Sequence, residues 1–199
     1  MFEERLKKLQ KLLLKKNLDA LFVTNPYNIF YLTGFMGLSP EERESSALID
    51  KTGITLTVPK MYREEGLALN KNSNLKLEVV EERNYIFTKS FFTFHKSNIV
   101  GIEAENLTIS EYNLLKENTR VNFRETIGLI ESLRLIKDNN EIILIKKAVE
   151  ITDRTFENIR KHLKEGLSEK LVSRKIIEHM DDFGADGVSF SPIVANGSA

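Results

Sequence analysis

The sequence predicts an α/β fold, and three observations carry that reading. An amphipathic helix at the N-terminus runs directly into a short apolar strand. A strand–turn–strand unit follows, and helical and strand-like stretches then alternate along most of the chain. The first helix is read from Leu6, Leu9 and Leu13, with Leu12 and Leu14 widening the stripe and Lys7, Lys8, Lys11, Lys15 and Lys16 on the other face. A basic amphipathic helix can lie on a membrane surface, but the strand that follows favours a solvated helix packed on a sheet. That strand is Asp19-Ala-Leu-Phe-Val-Thr24, closed by Asn25-Pro26 as a turn.

Ser46-Ala-Leu-Ile-Asp50 and Ile54-Thr-Leu-Thr-Val58, joined by Lys51-Thr52-Gly53, read as a hairpin. Met61 to Asn70 reads as helix. Leu75 to Val80 reads as a strand, because Leu75, Leu77 and Val79 alternate with Lys76 and Glu78. Tyr85, Phe87, Phe91, Phe92, Phe94 and His95 concentrate aromatic surface next to Lys89 and Lys96, a composition that can stack bases. Phe87, Phe91 and Phe94 recur at helical spacing, however, and a core stripe is the favoured reading. Asn98-Ile-Val-Gly-Ile-Glu103 is a strand, and Ser110 to Asn118 a short helix with Ser110 as its cap.

The pattern changes near Thr126. Asp138-x-x-Glu141 has the form of a capping box and opens a long helix striped by Ile142, Ile145, Val149, Thr152, Phe156, Ile159 and Leu163, with Gly166 as its stop. Ser168 caps a second helix carrying Val172, Ile176, Met180 and Phe183 on one face, and Gly184 ends it. Gly187 to Gly197 is strand-like. Two apolar helix faces need a sheet or further helices to cover them, so this part reads as the front of a larger domain.

Composition narrows the function. Of 199 residues, 41% are apolar and 29% charged, the balance of a globular chain. Twenty-nine basic residues offset 29 acidic ones, which disfavours a protein held to nucleic acid by counterion release. The absence of cysteine excludes disulfides, thiolate metal sites and a cysteine nucleophile. No apolar run has the length of a membrane span. Met1 to Lys16 mixes Glu3 and Glu4 with six basic residues and is not a secretory signal, so a cytoplasmic location is expected.

Residue chemistry alone yields no convincing active site. Glycine-rich phosphate loops, a G-x-S-x-G elbow and H-E-x-x-H are all missing. His179 with Asp181, Asp182 and Asp186 has metal-ligand chemistry. Adjacent acids point about 100° apart on a helix, however, and a histidine is favoured near a helix C-terminus, so a polar helix end is preferred. His162 is read the same way. Glu103 and Glu105 could pair for acid–base work, but their context reads as a strand turning into a loop.

Several segments together resemble the creatinase/prolidase/aminopeptidase P family of pita-bread metallopeptidases. They are Arg5, Leu6 and Leu9; Leu18-Asp-Ala-Leu-Phe-Val-Thr24; and Asn28-Ile-Phe-Tyr-Leu-Thr-Gly-Phe35. Val100-Gly-Ile-Glu103 with Leu107-Thr108 and Tyr112 follows, then Leu133-Arg134-x-x-Lys137 with Glu141-Ile142 and Ala148. Last come Gly166-x-Ser168-Glu169 and Ser189-Phe190-x-x-Ile193-Val194-x-x-Gly197. They occur in the family's order and cover nearly the whole chain.

The resemblance implies a three-layer α/β creatinase-type N-terminal domain with a mixed sheet over residues 1–128. Over 129–199 it implies the first part of a truncated α+β pita-bread domain. It further implies hydrolysis of peptide bonds involving proline, as an Xaa-Pro aminopeptidase or dipeptidase, by two divalent metals, manganese or cobalt, usually in a homodimer. The family's ligands, two aspartates, a histidine and two glutamates, follow the Ile-Val-x-x-Gly element. No catalytic or metal residue is therefore expected in this chain, which should be inactive by itself. Phe190 and Ile193 match positions bordering the pocket for the residue before proline, and are equally readable as core residues. A non-catalytic binding or dimerisation module and a metal-free creatine hydrolase remain open within the same fold. No nucleic acid or membrane partner is expected.

Overall fold

The structure, a computed structural model, describes residues 1–37, 43–71, 77–81 and 98–196. The aromatic stretch Tyr85 to His95, Leu75 and Gly197 lie outside the described residues. The chain divides into two compact units, Met1–Ile136 and Lys137–Ala199.

The first unit is built on a six-stranded mixed sheet. Its strands are β1 (Ala20–Val23), β2 (Ser46–Asp50), β3 (Ile54–Val58), β4 (Leu77–Glu81), β5 (Ile99–Glu103) and β6 (Asn122–Thr126), in the spatial order β4-β3-β2-β1-β5-β6. Only β2 runs against the rest, since β1 pairs with β5 in parallel, as β3 does with β4 and β5 with β6. The expected hairpin is β2–β3, and the Asp50 carboxylate fastens its turn by accepting the N–H groups of Thr52 and Gly53. The β6 strand escaped the sequence reading because Asn122–Thr126 is largely polar, with every residue exposed or half-buried at the sheet edge.

Strand residues alternate between two apolar layers. Leu21, Val23, Ala47, Ile49, Leu56 and Val58 enter one core with α1 (Phe2–Lys15) and α2 (Pro26–Thr33). Ala20, Phe22, Leu48, Val100 and Ile102 enter the other with Leu115 of α4 (Ile109–Asn118). A short 3-10 turn, Lys60–Tyr62, leads into α3 (Arg63–Lys71). This is the helix–sheet–helix sandwich expected.

Local chemistry corrects three sequence expectations. Asn25-Pro26 begins α2 rather than a turn. The Asn25 side chain accepts the N–H groups of Tyr27 and Asn28, and proline, which has no N–H to satisfy, fits the first helical position. Thr108, not Ser110, caps α4, in a reciprocal capping box with Glu111. Leu14 is 73% exposed and lies outside the α1 stripe, whereas Arg5 is buried within it. The Arg5 guanidinium donates to the Tyr31 carbonyl at 2.8 Å and lies 4.1 Å from the Tyr31 ring centre, so its charge is met on α2.

The second unit contains α6 (Asn139–His162) and α7 (Glu169–Asp182); a four-residue helix, α5 (Glu131–Arg134), closes the first unit. Asp138 and Glu141 form the expected capping box, Ser168 caps α7, and Gly184, at φ +87°, ends it. The α6 helix stops at His162, before Gly166. Its buried residues are Ile151, Thr155 and Ile159, while Ile145, Val149 and Phe156 are about half or more exposed. The expected stripe is therefore mostly a face without cover. Residues 187–196 form no strand, because no neighbouring strand among the described residues supplies a ladder for them.

Candidate functional site

Two places concentrate chemistry. The first lies at the carboxyl ends of β1 and β5, where the chain's strand order reverses direction. From β1 it proceeds to β2, β3 and β4 on one side, then returns to β5 and β6 on the other. Such switch points leave a crevice, and here a cavity of about 110 Å³ is bordered by Asn25, Glu103, Glu105, Thr126, Gly128 and Glu131, among others.

Glu103 organises this crevice. Its Oε2 accepts the backbone N–H of Thr24 at 2.7 Å and of Asn25 at 2.8 Å, which places a carboxylate at the start of α2. Its Oε1 accepts from Asn28 Nδ2 at 2.6 Å, and the same Nδ2 donates to Glu131 Oε1 at 2.6 Å. The Asn28 carbonyl oxygen accepts from Arg134 at 3.0 Å. Asn28 is fully buried, so both of its N–H donors and its acceptor are engaged. Burial pushes the Glu103 carboxyl above the usual carboxylate range and the neighbouring Glu131 adds to this, while the three N–H donors act the other way.

This geometry answers the paired-carboxylate reading. Glu103 does not meet Glu105 as an acid–base pair; its oxygens are used to join β5, α2 and α5. Asn28, Glu131 and Arg134 were not singled out as a network, since no short spacing links partners 75 and 103 positions apart.

The second place is in the α6–α7 unit, where a groove of about 480 Å³ is lined by Leu144, Ile151, Ile176, Met180, Phe190 and Pro192, among others. Phe190 borders it and is 72% exposed; Ile193 is 89% exposed and does not line it. The two expected pocket residues thus lie on one irregular segment without converging. Among the described residues, no three histidine, aspartate or glutamate side chains gather where they could hold a metal ion. The acids near His179 spread as helix geometry requires, with only Asp182 within 4 Å of its ring. No helix among the described residues is long and apolar enough to cross a membrane.

Comparison with known proteins bears on both units. The Creatinase/Prolidase N-terminal domain family matches residues 5–136, and Metallopeptidase family M24 matches residues 143–199. A Staphylococcus aureus protein named as an uncharacterized peptidase is 34% identical over 183 residues, covering 90% of this chain and 50% of the relative. Among solved structures, the Xaa-Pro dipeptidase from Bacillus anthracis superposes with a TM-score of 0.84 at 28% identity, over 96% of this chain and 52% of that one. The prolidase from Pyrococcus furiosus gives 0.76 at 27% identity, over 92% and 54%. The chain spans about half the length of the curated relatives it matches.

Proposed function

The chain belongs to the creatinase/prolidase family, and on that premise we propose that it is the amino-terminal portion of an Xaa-Pro peptidase that hydrolyses peptide bonds involving proline. The observation that carries the reading is the order of the two family matches. A creatinase-type domain is followed, from residue 143, by the beginning of a metallopeptidase segment. The uncovered apolar face of α6 supports it, because a helix striped with Ile145, Val149 and Phe156 is built to be covered by more of its own domain.

The two divalent ions of such a peptidase, manganese or cobalt, do not fit the described residues, which gather no group of three or more metal-binding side chains. Their ligands belong, on this reading, to sequence following residue 199. What this chain contributes is binding surface. Phe190 and Ile193 present large apolar side chains to solvent, as walls for the residue preceding proline would before the rest of the pocket closes on them. Cytoplasmic location and homodimer assembly belong to the same reading.

The test uses a chain extended to the full length of the relatives. With manganese it should release the products of Xaa-Pro cleavage, a chelator should abolish this, and the 199-residue chain should show none. Phe190→Ala in the extended enzyme should lower kcat/KM about tenfold, mainly through KM, since it removes apolar contact with bound substrate. An extended chain that binds no metal and cleaves nothing would instead point to a non-catalytic binding module.

A further inference from the structure

The α6–α7 hairpin brings together two histidines that the sequence places at the ends of different helices. The ring centres of His162 and His179 lie 6.3 Å apart, with their planes inclined by 34°. The Nδ1 of His162 is 2.7 Å from the carbonyl oxygen of Asn158. A carbonyl can only accept, so that nitrogen carries the proton and Nε2 keeps a free lone pair. The Nδ1 of His179 faces Asp182 Oδ2 at 3.7 Å, again leaving Nε2 as the outward nitrogen.

The rings are also held in place. Phe183 stacks on His179 with 15° between the planes, and the Arg154 guanidinium lies 4.2 Å from the centre of the Phe183 ring. An imidazole whose Nδ1 is committed to a carbonyl or carboxylate while Nε2 is free is the arrangement in which histidine ligates a metal.

We propose that His162 and His179 form a two-imidazole site for a divalent transition ion, with zinc as the occupant. Imidazole nitrogens select ions of this class over magnesium, which prefers oxygen. Two imidazoles on one tetrahedral zinc, with bonds of about 2.0–2.1 Å, bring their ring centres to about 5 Å. A closure of that size lies within reach of side chains at the open end of a two-helix hairpin. Water fills the remaining positions, since no third histidine or acid converges there among the described residues. The ion clamps the end of α6 to α7. This inference rests on the hairpin alone and is independent of the peptidase reading.

The chain has only three histidines, which makes the test clean. Zinc chloride added to the 199-residue chain at neutral pH should shift the imidazole resonances of His162 and His179 together. The shifts should saturate at one ion per chain and raise the midpoint of thermal unfolding, while magnesium chloride does neither. His162→Asn and His179→Asn should each abolish the effect, Asp182→Asn should weaken binding about tenfold by loosening the ring, and His95→Asn should leave it intact. A shift confined to one of the two rings, single variants that bind zinc as the parent does, or loss of binding in His95→Asn would each overturn the proposal. Because the spectrum of the unaltered chain is itself decisive, a variant that fails to fold does not rescue it.

Discussion

Asn28 and Glu103 show how one residue pair can hold three elements together. The Asn28 amide is the common partner of Glu103, Glu131 and Arg134. Replacing it with alanine leaves two carboxyls and a guanidinium short of a partner, at a cost of about 2–3 kcal/mol, to be measured by urea unfolding. Glu103 adds a pH dependence whose sign is fixed by its raised pKa. The folded state holds this proton more tightly than the unfolded state does, so the stability it contributes is fully present below about 4.5 and is lost as pH rises through the folded value. Glu103→Gln, which removes the titration, should therefore destabilise the chain more at pH 4.5 than at pH 7.5. Equal losses at the two pH values would show that the carboxyl titrates as it does in the unfolded chain.

At the scale of the element, Gly101 explains why β5 sits where it does. A Cβ there would lie 2.9 Å from Leu21 Cδ1, 3.0 Å from Thr126 Cγ2 and 3.1 Å from Leu18 Cδ1, so the strand packs between β1 and β6 only without a side chain at that point. Gly101→Ala should cost about 1–3 kcal/mol by overpacking, with the lowered midpoint visible in thermal unfolding. Helix starts were partly legible in the sequence. Asp138 and Ser168 sit at the caps expected of them, whereas Asn25-Pro26 reads locally as a turn because the residues that cap a helix are also those that turn a chain. The β6 strand had no signal to read, since its pairing comes from β5 and not from its own polar sequence.

For the molecule as a whole, the consequential feature is the α6–α7 unit. Ile143, Leu144, Ile145, Val149 and Phe156 are all about half or more exposed on one helix, beyond what a monomer in water ordinarily shows. The 199-residue chain should therefore self-associate with rising concentration in sedimentation experiments. Val149→Lys with Phe156→Lys should suppress this while leaving the melting of the first unit unchanged. A strictly monomeric parent at high concentration would mean that these side chains find cover within the chain.

The sequence by itself determined the α/β class, the β2–β3 hairpin, the caps at Asp138 and Ser168, and the family, because each is encoded in neighbouring residues or in an ordered series of short segments. Only the tertiary structure decided that Glu103 serves α2 and α5 rather than Glu105, that β6 joins the sheet, and that His162 and His179 face one another. In those cases the partners are far apart along the chain. What brings them together is the packing of strands and helices, which burial of apolar surface drives and which no local pattern records.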